Sequence, residues 1–525
     1  MTESEKGFRH EFARLSEKYS EAPALLDAGS GAVWTYADLA SLIDRAAAFL
    51  AANGASEGKT VVTLLPNSVD TLVLFLAALQ VGAGFAPLSP QAKAREVRNW
   101  IKLVDPVLCL HAPSTNDVVA SAGSPPSLRK LTIETGGRLE WLGTQSGGAT
   151  SAAPRDPSRL FLYTSGTTGE PKALVFDCDR LWAAACAFAT HHDILDSDCR
   201  FFNILPMSYL GGLFNLGMIP LSLGGSIVIA EAFSGRSYLN FWRNVERFKI
   251  NVLWLVPTIV RGLLRLSGRG ASPGAGQREK IRLCFLGTAP ADLRLKKQFE
   301  ETFEIPLLEN FALSETTFIT SETLDSRTRR SDGSVGEVLP FVQLRCASKH
   351  SDHEDHPPGE IEVKTPYMFL GYLKGDGRIE CPKTEDGYFS TGDLGRLTQE
   401  GTLLYEGRTR DIIKKGGHMI VLREIEVLAE QHPLIEEASA VPIAHDFFGE
   451  DYVLAVRVRS TADGLDPLTE LRTWLRSESE QFKWPGDIVE CAEFPRTGSG
   501  KIRKRDLAEE IQKRRRVHAA TGVQS

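Results

Sequence analysis

The sequence lacks a cysteine framework, an excess of one charge and an uninterrupted hydrophobic segment. Its eight cysteines are scattered, with no Cys-x-x-Cys pair, which argues against a disulfide scaffold or a zinc ribbon and suits a reducing compartment. Lysine and arginine total 60 against 67 aspartates and glutamates, a net charge of −7, which argues against a nucleic-acid partner.

No part of the chain is predicted to be an integral membrane segment. Two long uncharged stretches, residues 71–88 and 204–230, are both broken by glycine and proline, so they indicate short buried elements rather than spanning helices. The opening MTESEKGFRH is polar, so we expect no secretory signal and a cytoplasmic protein.

Apolar β-branched runs alternate with amphipathic stretches through most of the first 340 residues of the 525-residue chain. The predicted strands are 60–66, 106–111, 160–165, 226–231, 252–257 and 281–287, and the predicted helices include 36–53, 68–82, 180–192 and 237–248. Such alternation indicates an α/β fold with mostly parallel sheets.

The later part of the chain has a different pattern. Short strand-like runs separated by turns predict a small β-rich subdomain at about residues 335–407, and helices near 423–431 and 467–481 predict a separate α+β unit. We therefore expect a large N-terminal domain of α/β subdomains at 1–407 and a small C-terminal domain at 408–525.

One histidine-rich segment suggests a metal site only weakly. His350, His353 and His356 are regularly spaced, and imidazoles are common metal ligands. The segment is rich in proline and charge, with nothing to fix coordination geometry, so a solvated turn is the preferred interpretation.

A hydroxyl- and glycine-rich loop follows the predicted strand at 160–163. Its backbone N–H groups, its hydroxyls and a terminal lysine can surround an anion. The P-loop pattern fails here because the lysine stands at the wrong position, and the dinucleotide-binding pattern fails because Gly82-Ala83-Gly84 is not followed by a third glycine at the right place. The candidate anion-binding residues are Thr164, Ser165, Gly166, Thr167, Thr168, Gly169 and Lys172.

This loop, YTSGTTGEPK, resembles the signature loop of the adenylate-forming superfamily, which contains acyl- and aryl-CoA synthetases, standalone adenylation enzymes and luciferases. Further family-like motifs follow in the family's order over nearly the whole chain: NFALSETT (310–317), YFSTGDLGRL (388–397), GRTRDIIKKGGHMI (407–420) and PRTGSGKIRKRDL (495–507). The resemblance implies an AMP-forming acid–thiol ligase that uses ATP and Mg²⁺ and has a mobile small C-terminal domain.

The resemblance assigns the ATP contacts residue by residue. The loop would hold the β- and γ-phosphates, Glu315 would hold Mg²⁺, and Ser314 keeps the usual hydroxyl. Phe311 stands where the family has tyrosine and would stack on adenine.

The same resemblance places ribose and catalytic contacts late in the chain. Asp393 and Arg408 match the residues that contact the ribose, and Lys501 matches the catalytic lysine. A cation on a glycine-rich loop can stabilise charge that develops at the α-phosphate.

A hinge is expected at Arg410, about which the small domain would swing between the two half-reactions. Lys414 and Gly417 match residues that the family uses in the thioester-forming conformation. Met419 departs from the usual basic residue, which weakens the assignment for that half-reaction.

The resemblance places the acyl pocket around Tyr209, Gly211, Thr288 and Ala312. Family members that activate α-amino acids have an aspartate in the segment that corresponds to 205–212, and this chain has no acidic residue there, so an α-amino acid substrate is disfavoured. Thr288 and Ala312 replace two common glycines, and the added bulk favours an aromatic or short-to-medium acid.

The sequence leaves the acyl acceptor open. An acid–CoA ligase is favoured, and a standalone adenylation enzyme that loads a separate carrier protein is the alternative. A luciferase-like oxygenase or a non-catalytic nucleotide-binding relative also fits the motifs less directly.

Overall fold

Three β-sheets and the helices packed on them form the protein in the computed structural model. The structure describes residues 7–136, 139–142, 156–164, 172–267, 272–289, 291–347, 358–415, 418–445, 448–459, 466–497 and 500–521.

The segment before residue 136 alternates helices and strands. Its helices are α1 (Phe8–Lys18), α2 (Tyr36–Ala52), α3 (Val69–Val81), α4 (Ala94–Val104) and α5 (Asn116–Ala122). Its strands are β1 (Pro23–Asp27), β2 (Val33–Thr35), β3 (Thr60–Leu64), β4 (Gly84–Pro87), β5 (Leu108–His111) and β6 (Arg129–Thr132).

The middle segment continues the alternation and then becomes mostly β. Its helices are α6 (Cys178–His191), α7 (Ile219–Ser222), α8 (Ser237–Arg247), α9 (Pro257–Ser267), α10 (Ala275–Arg278) and α11 (Leu293–Phe303). Its strands are β7 (Arg159–Thr164), β8 (Lys172–Asp177), β9 (Arg200–Asn203), β10 (Ser226–Ile229), β11 (Val252–Leu255), β12 (Leu283–Leu286), β13 (Leu307–Leu313), β14 (Thr317–Ser321), β15 (Ser334–Val338) and β16 (Gln343–Ala347).

The last segment contains the remaining elements. Its strands are β17 (Gly359–Lys364), β18 (Gly371–Leu373), β19 (Ile379–Glu380), β20 (Phe389–Leu397), β21 (Thr402–Arg408), β22 (Ile412–Lys415), β23 (His418–Val421), β24 (Ile435–His445), β25 (Gly449–Val458) and β26 (Asp487–Glu490). Its helices are α12 (Leu422–Glu430), α13 (Pro467–Glu478) and α14 (Lys504–Thr521).

The largest sheet has thirteen strands in the order β16-β17-β20-β21-β15-β14-β13-β12-β11-β9-β10-β1-β2. The pairings from β13 to β1 through β12, β11, β9 and β10 are parallel, and those from β13 to β16 through β14 are antiparallel. The predicted β-rich segment is therefore present, and most of its strands extend the large sheet.

Two smaller sheets complete the fold. The second has eight strands in the order β19-β18-β8-β7-β4-β3-β5-β6, and the third has five, β22 to β26. The third sheet comes entirely from residues 412–490, and it packs with α12 and α13 around its own buried cluster. The domain boundary near residue 407 stays a prediction.

The predicted strands and helices are confirmed where the apolar pattern was strongest. The central strands β3, β5, β10, β11 and β12 are buried along their whole length, as continuous apolar runs in parallel sheets require. Local signals set helix ends: Thr35 and Asp38 form a capping box at α2, and Gly82 ends α3 in the left-handed region with φ 76°. No helix within the described ranges is long and apolar enough to cross a membrane.

Candidate active site

We call the residues up to 408 the large unit and the residues from 411 to 521, which include the third sheet, the C-terminal unit. A cavity of about 970 Å³ lies between the two units. Three residues predicted from the sequence line it: Thr288 after β12, Arg408 at the end of β21, and Lys501 from the loop before α14. The fold thus brings together candidates separated by more than 200 positions in the chain (501 − 288 = 213).

Arg408, which lines this cavity, is paired with Asp393. The two residues are register partners on the antiparallel strands β20 and β21, and Arg408 Nε lies 3.0 Å from Asp393 Oδ1. Burial alone would lower the pKa of Arg408, but the neighbouring Asp393 raises it overall. The contact with Arg408 orients the nearly fully buried side chain of Asp393, which is 2% exposed.

The turn between β13 and β14 carries the predicted adenine and metal residues. Residues 307–310 are buried, whereas 311–315 are partly exposed, so the strand emerges from the core at Phe311. The Phe311 ring lies 5.7 Å from the Tyr405 ring, centroid to centroid. Tyr405 in turn is hydrogen-bonded to Arg408, and a partly exposed aromatic ring at this place suits a planar base.

Glu315 is fixed by a tyrosine from a distant strand. The Tyr372 hydroxyl donates a hydrogen bond to Glu315 Oε1 at 2.8 Å, and the Phe369 N–H donates to the Glu315 carbonyl oxygen at 2.9 Å. Burial and the charge of Glu315 both raise the pKa of Tyr372, so its hydroxyl stays a donor.

The strands that flank the predicted anion-binding loop form an antiparallel pair next to the strand that carries Tyr372. Thr164 and Lys172 are register partners at the ends of antiparallel β7 and β8, and β18 pairs with β8 so that Tyr372 lies opposite Leu174. The predicted phosphate contacts Ser165, Gly166, Thr167, Thr168 and Gly169 lie outside the described residues. The described ends of the loop therefore lie close to β18, the strand whose Tyr372 is hydrogen-bonded to Glu315.

Glu315 has the chemistry of a magnesium ligand. Mg²⁺ is commonly held in proteins by one or two carboxylates together with substrate phosphates, rather than by an all-protein cage. Within the described part of the chain, no group of three or more histidine, cysteine, aspartate or glutamate side chains could form such a cage. A single carboxylate beside the ends of a phosphate-type loop fits this mode of binding.

Two of the three segments that carry predicted acyl-pocket residues are in contact. Burial raises the pKa of Tyr209, and a hydrogen bond with Ser314 opposes this shift, so the 205–212 segment contacts the β13–β14 turn. Gly211 begins a π-helical stretch, Gly211–Met218, and Ala312 follows a register shift in the hairpin.

Thr288 has an unusual backbone conformation. Its φ of +74° lies in the left-handed region, which β-branched residues avoid. Its Oγ1 is buried, with no hydrogen-bond partner among the described residues. Such strain at a cavity wall is typical of functional sites.

Lys501 lies in a tight loop against the large unit. Lys501 N–H donates to Thr497 Oγ1 at 3.1 Å, and Thr497 N–H donates to the Lys501 carbonyl oxygen at 2.8 Å. Gly500 has φ 84°, and a Cβ placed on it would lie 2.7 Å from Thr258 Oγ1 of α9. Only glycine allows this turn and this close approach.

The residues predicted for the second half-reaction are described only in part. Arg410 lies in the short 3₁₀ turn Thr409–Asp411, and Lys414 lies on β22 opposite Met419. Gly417 and the histidines of the 350–356 segment fall outside the described residues.

Sequence reasoning missed the side chains that hold the predicted ones in place. Tyr372, which binds Glu315, stands 57 positions from it, and no local pattern marks it. Arg496 donates to the Gly500 carbonyl oxygen at 3.0 Å, and its proximity to Lys501 in the PRTGSGK string was the one signal that could have indicated it.

Two family models match the chain. The family model described as AMP-binding enzyme matches residues 12–373, and that described as AMP-binding enzyme C-terminal domain matches residues 424–501.

Similar relatives extend over nearly the whole chain. Sulfoacetate–CoA ligase of Cupriavidus necator is 28% identical over 496 residues, covering 93% of this chain and 95% of that protein. Indoleacetate–CoA ligase of Aromatoleum aromaticum is 29% identical over 490 residues, covering 90% and 92%. The crystal structure of ATP-bound MatB from Rhodopseudomonas palustris matches with a TM-score of 0.84 and 26% identity, covering 95% of this chain and 98% of that one.

Proposed function

The chain belongs to the family of AMP-binding enzymes, and from this membership we propose how its residues join a carboxylic acid to CoA. The enzyme is an AMP-forming acid–CoA ligase: it activates the acid with ATP as an acyl-adenylate, releases pyrophosphate and transfers the acyl group to CoA. The observation that supports the residue assignments best is the shared cavity lined by Thr288, Arg408 and Lys501.

ATP binds with its adenosine part against the large sheet. Phe311 packs on the adenine, and Asp393 accepts hydrogen bonds from the ribose hydroxyls while its contact with Arg408 holds it in place. The loop at 164–172 holds the β- and γ-phosphates. Glu315, oriented by Tyr372, would hold Mg²⁺, and the bound ion would supply positive charge beside the phosphates.

Lys501 carries the positive charge for the first half-reaction. The acid carboxylate attacks the α-phosphate, and negative charge grows on the phosphate oxygens in the transition state. An ammonium group placed there stabilises that charge more than it stabilises the ground state. Swinging the C-terminal unit about Arg410 then removes Lys501 and brings Lys414 and Gly417 toward the site for thioester formation.

The acid is proposed to be aromatic or short-to-medium in length. Thr288 and Ala312 add a hydroxyl and methyl groups to the pocket wall, and the Thr288 hydroxyl offers a hydrogen bond to a polar group of the substrate. The named substrates of the two ligases above, sulfoacetate and indoleacetate, fall in this range. An α-amino acid is disfavoured because the 205–212 segment has no carboxylate to pair with an ammonium group.

A panel of acids tests the proposal. We would measure pyrophosphate exchange into ATP with acetate, malonate, sulfoacetate, benzoate, phenylacetate, indoleacetate, glycine and palmitate, then assay acyl-CoA formation with CoA. Exchange with one or more of the short or aromatic acids, and none with glycine or palmitate, is expected. Release of ADP and orthophosphate would contradict the reaction, and transfer to an added carrier protein but not to CoA would favour the standalone adenylation alternative.

A further inference from the structure

One face of α9 points toward the C-terminal unit. Thr258, Arg261 and Arg265 follow each other at spacings of three and four residues, so they lie on one side of the helix. The contact between Thr258 and Gly500 places the Lys501 loop directly against the first turn of that face.

The two arginines of this face meet consecutive carboxylates on β24. Arg261 Nη1 lies 3.9 Å from Glu437 Oε1, and Arg265 Nη2 lies 3.2 Å from Glu436 Oε2. Arg261 is also 3.8 Å from Asp292 in its own unit, which holds its guanidinium at the boundary. These ion pairs join the large unit to the C-terminal unit.

Glu437 connects this boundary to the Lys501 loop. Its Oε2 accepts a hydrogen bond from Arg496 Nη2 at 2.5 Å, and Arg496 Nη1 donates to the Gly500 carbonyl oxygen at 3.0 Å. Burial would raise the pKa of Glu437, but the hydrogen bond from Arg496 and the surrounding arginines lower it overall. The side chain is therefore a carboxylate at neutral pH although only 4% of it is exposed.

We propose that Arg261, Arg265, Glu436, Glu437 and Arg496 form an interdomain latch that holds Lys501 in the arrangement used for adenylation. The inference rests on the proposed role of Lys501. Glu437 and Arg496 are positioning residues, because they shape the loop and move with the C-terminal unit. Arg261 and Arg265 belong to the large unit and do not move with the C-terminal unit. Their ion pairs with Glu437 and Glu436 therefore break when the C-terminal unit rotates, so they stabilise only the adenylation arrangement.

The latch makes an asymmetric prediction for the two half-reactions. A ligand or contact shifts a two-state equilibrium only by its differential interaction with the two states. Loss of partly exposed ion pairs changes such equilibria modestly. Arg261→Gln should slow pyrophosphate exchange roughly threefold, and Arg261→Gln with Arg265→Gln roughly tenfold. Conversion of a synthetic acyl-adenylate to acyl-CoA should be unchanged or faster.

The full-length enzyme serves for the test, with Arg278→Gln as the matched control. Arg278 is 26% exposed against 17% for Arg261, and its partner Glu304, at 2.5 Å, lies in the same large unit, so both rates should match wild type. Pyrophosphate exchange is measured with phenylacetate and malonate, and thioester formation with the corresponding acyl-adenylates.

A readout that needs no acid separates the latch from the proposed function. Backbone amide exchange of the 495–503 segment is followed in each variant with ATP and Mg²⁺ present, and it should be faster in the double variant than in wild type or Arg278→Gln. Equal loss of both half-reactions, loss of neither, or unchanged amide exchange would overturn the latch. If wild type activates neither acid, the amide exchange decides for or against the latch by itself, while the acid panel decides the proposed function.

Discussion

Replacing Thr288 by glycine should stabilise the protein and widen the range of acids that it activates. Thr288 has φ +74°, which costs a β-branched residue steric strain. Its buried Oγ1 has no hydrogen-bond partner among the described residues, and the residue lines the cavity that holds Lys501. The substitution removes the strain, the hydroxyl and the methyl group from the cavity wall, which leaves room for a longer acid.

The expected gain in the free energy of unfolding is the difference between stabilising and destabilising contributions. Strain at such a position costs about 1–3 kcal/mol, and a buried hydroxyl without a partner costs about 1–3 kcal/mol. Glycine offsets roughly 0.5–1 kcal/mol of this through the entropy of the unfolded chain, and losing the two carbons Cβ and Cγ2 costs about 1.6 kcal/mol. From the central values, the free energy of unfolding should rise by about 1–2 kcal/mol.

Urea unfolding of the two proteins under one set of conditions measures the stability difference, and pyrophosphate exchange with acetate, hexanoate and decanoate measures the acid range. Lys249→Gly is the matched control, because Lys249 has φ +53° and is exposed after the end of α8. It should gain stability by strain relief and leave the acid profile unchanged. A Thr288→Gly enzyme that is less stable than wild type, or that keeps the wild-type acid profile, would refute the reasoning.

Four further outcomes are expected. Lys501→Ala should lose on the order of 10²-fold or more in adenylation yet still convert a synthetic acyl-adenylate to thioester; equal loss of both steps would contradict its assigned role. Arg410→Pro should keep pyrophosphate exchange and lose thioester synthesis, because proline fixes φ near −65° and restricts the residue before it; parallel losses, or none, on a folded variant would remove the hinge. Tyr372→Phe should raise the Mg²⁺ concentration for half-maximal exchange several-fold, since the proposed metal ligand loses a hydrogen bond, and the surface variant Tyr388→Phe should not. Burial lowers the pKa of His192 to about 3 from about 6.5 in the unfolded chain, so the unfolded state binds more protons below pH 6.5. The free energy of unfolding should therefore decrease as the pH is lowered from 6.5, by about 2 kcal/mol at pH 5. An equal pH-dependent loss in His192→Phe would exclude that residue as the cause.

The core strands were predictable because parallel strands buried on both faces are continuous apolar runs. Residues 252–257 and 281–287 needed no tertiary information, and β11 and β12 lie where the runs predicted them. The pairing of strands was not predictable, because it is decided between segments far apart in the chain. Only the structure shows that the late strands β15, β16, β17, β20 and β21 belong to the large sheet.

The candidate site divides in the same way. Motifs indicated Glu315, Arg408 and Lys501 because each stands in a local string with a recognisable composition. Tyr372 and Glu437 act through contacts with residues 57 and 59 positions away, and a single sequence carries no mark of such pairs. The strained φ of Thr288 was also hidden, since a threonine in place of glycine reveals bulk but no backbone angle.

Each of the two larger sheets contains strands from distant parts of the chain, and this has a consequence for biosynthesis. The eight-stranded sheet starts at β3 and is completed only by β18 and β19, at residues 371–380, while the thirteen-stranded sheet starts at β1 and needs β21, which ends at residue 408. Neither sheet can be completed during synthesis until residues 380 and 408, respectively, have emerged from the ribosome. Sheets that depend on such long-range strand pairing fold slowly. A fragment cut at residue 373 would leave the edges of β15 and β17 unpaired and prone to associate with other chains. Chaperone dependence of the nascent chain should therefore end abruptly once the β20–β21 hairpin has left the exit tunnel.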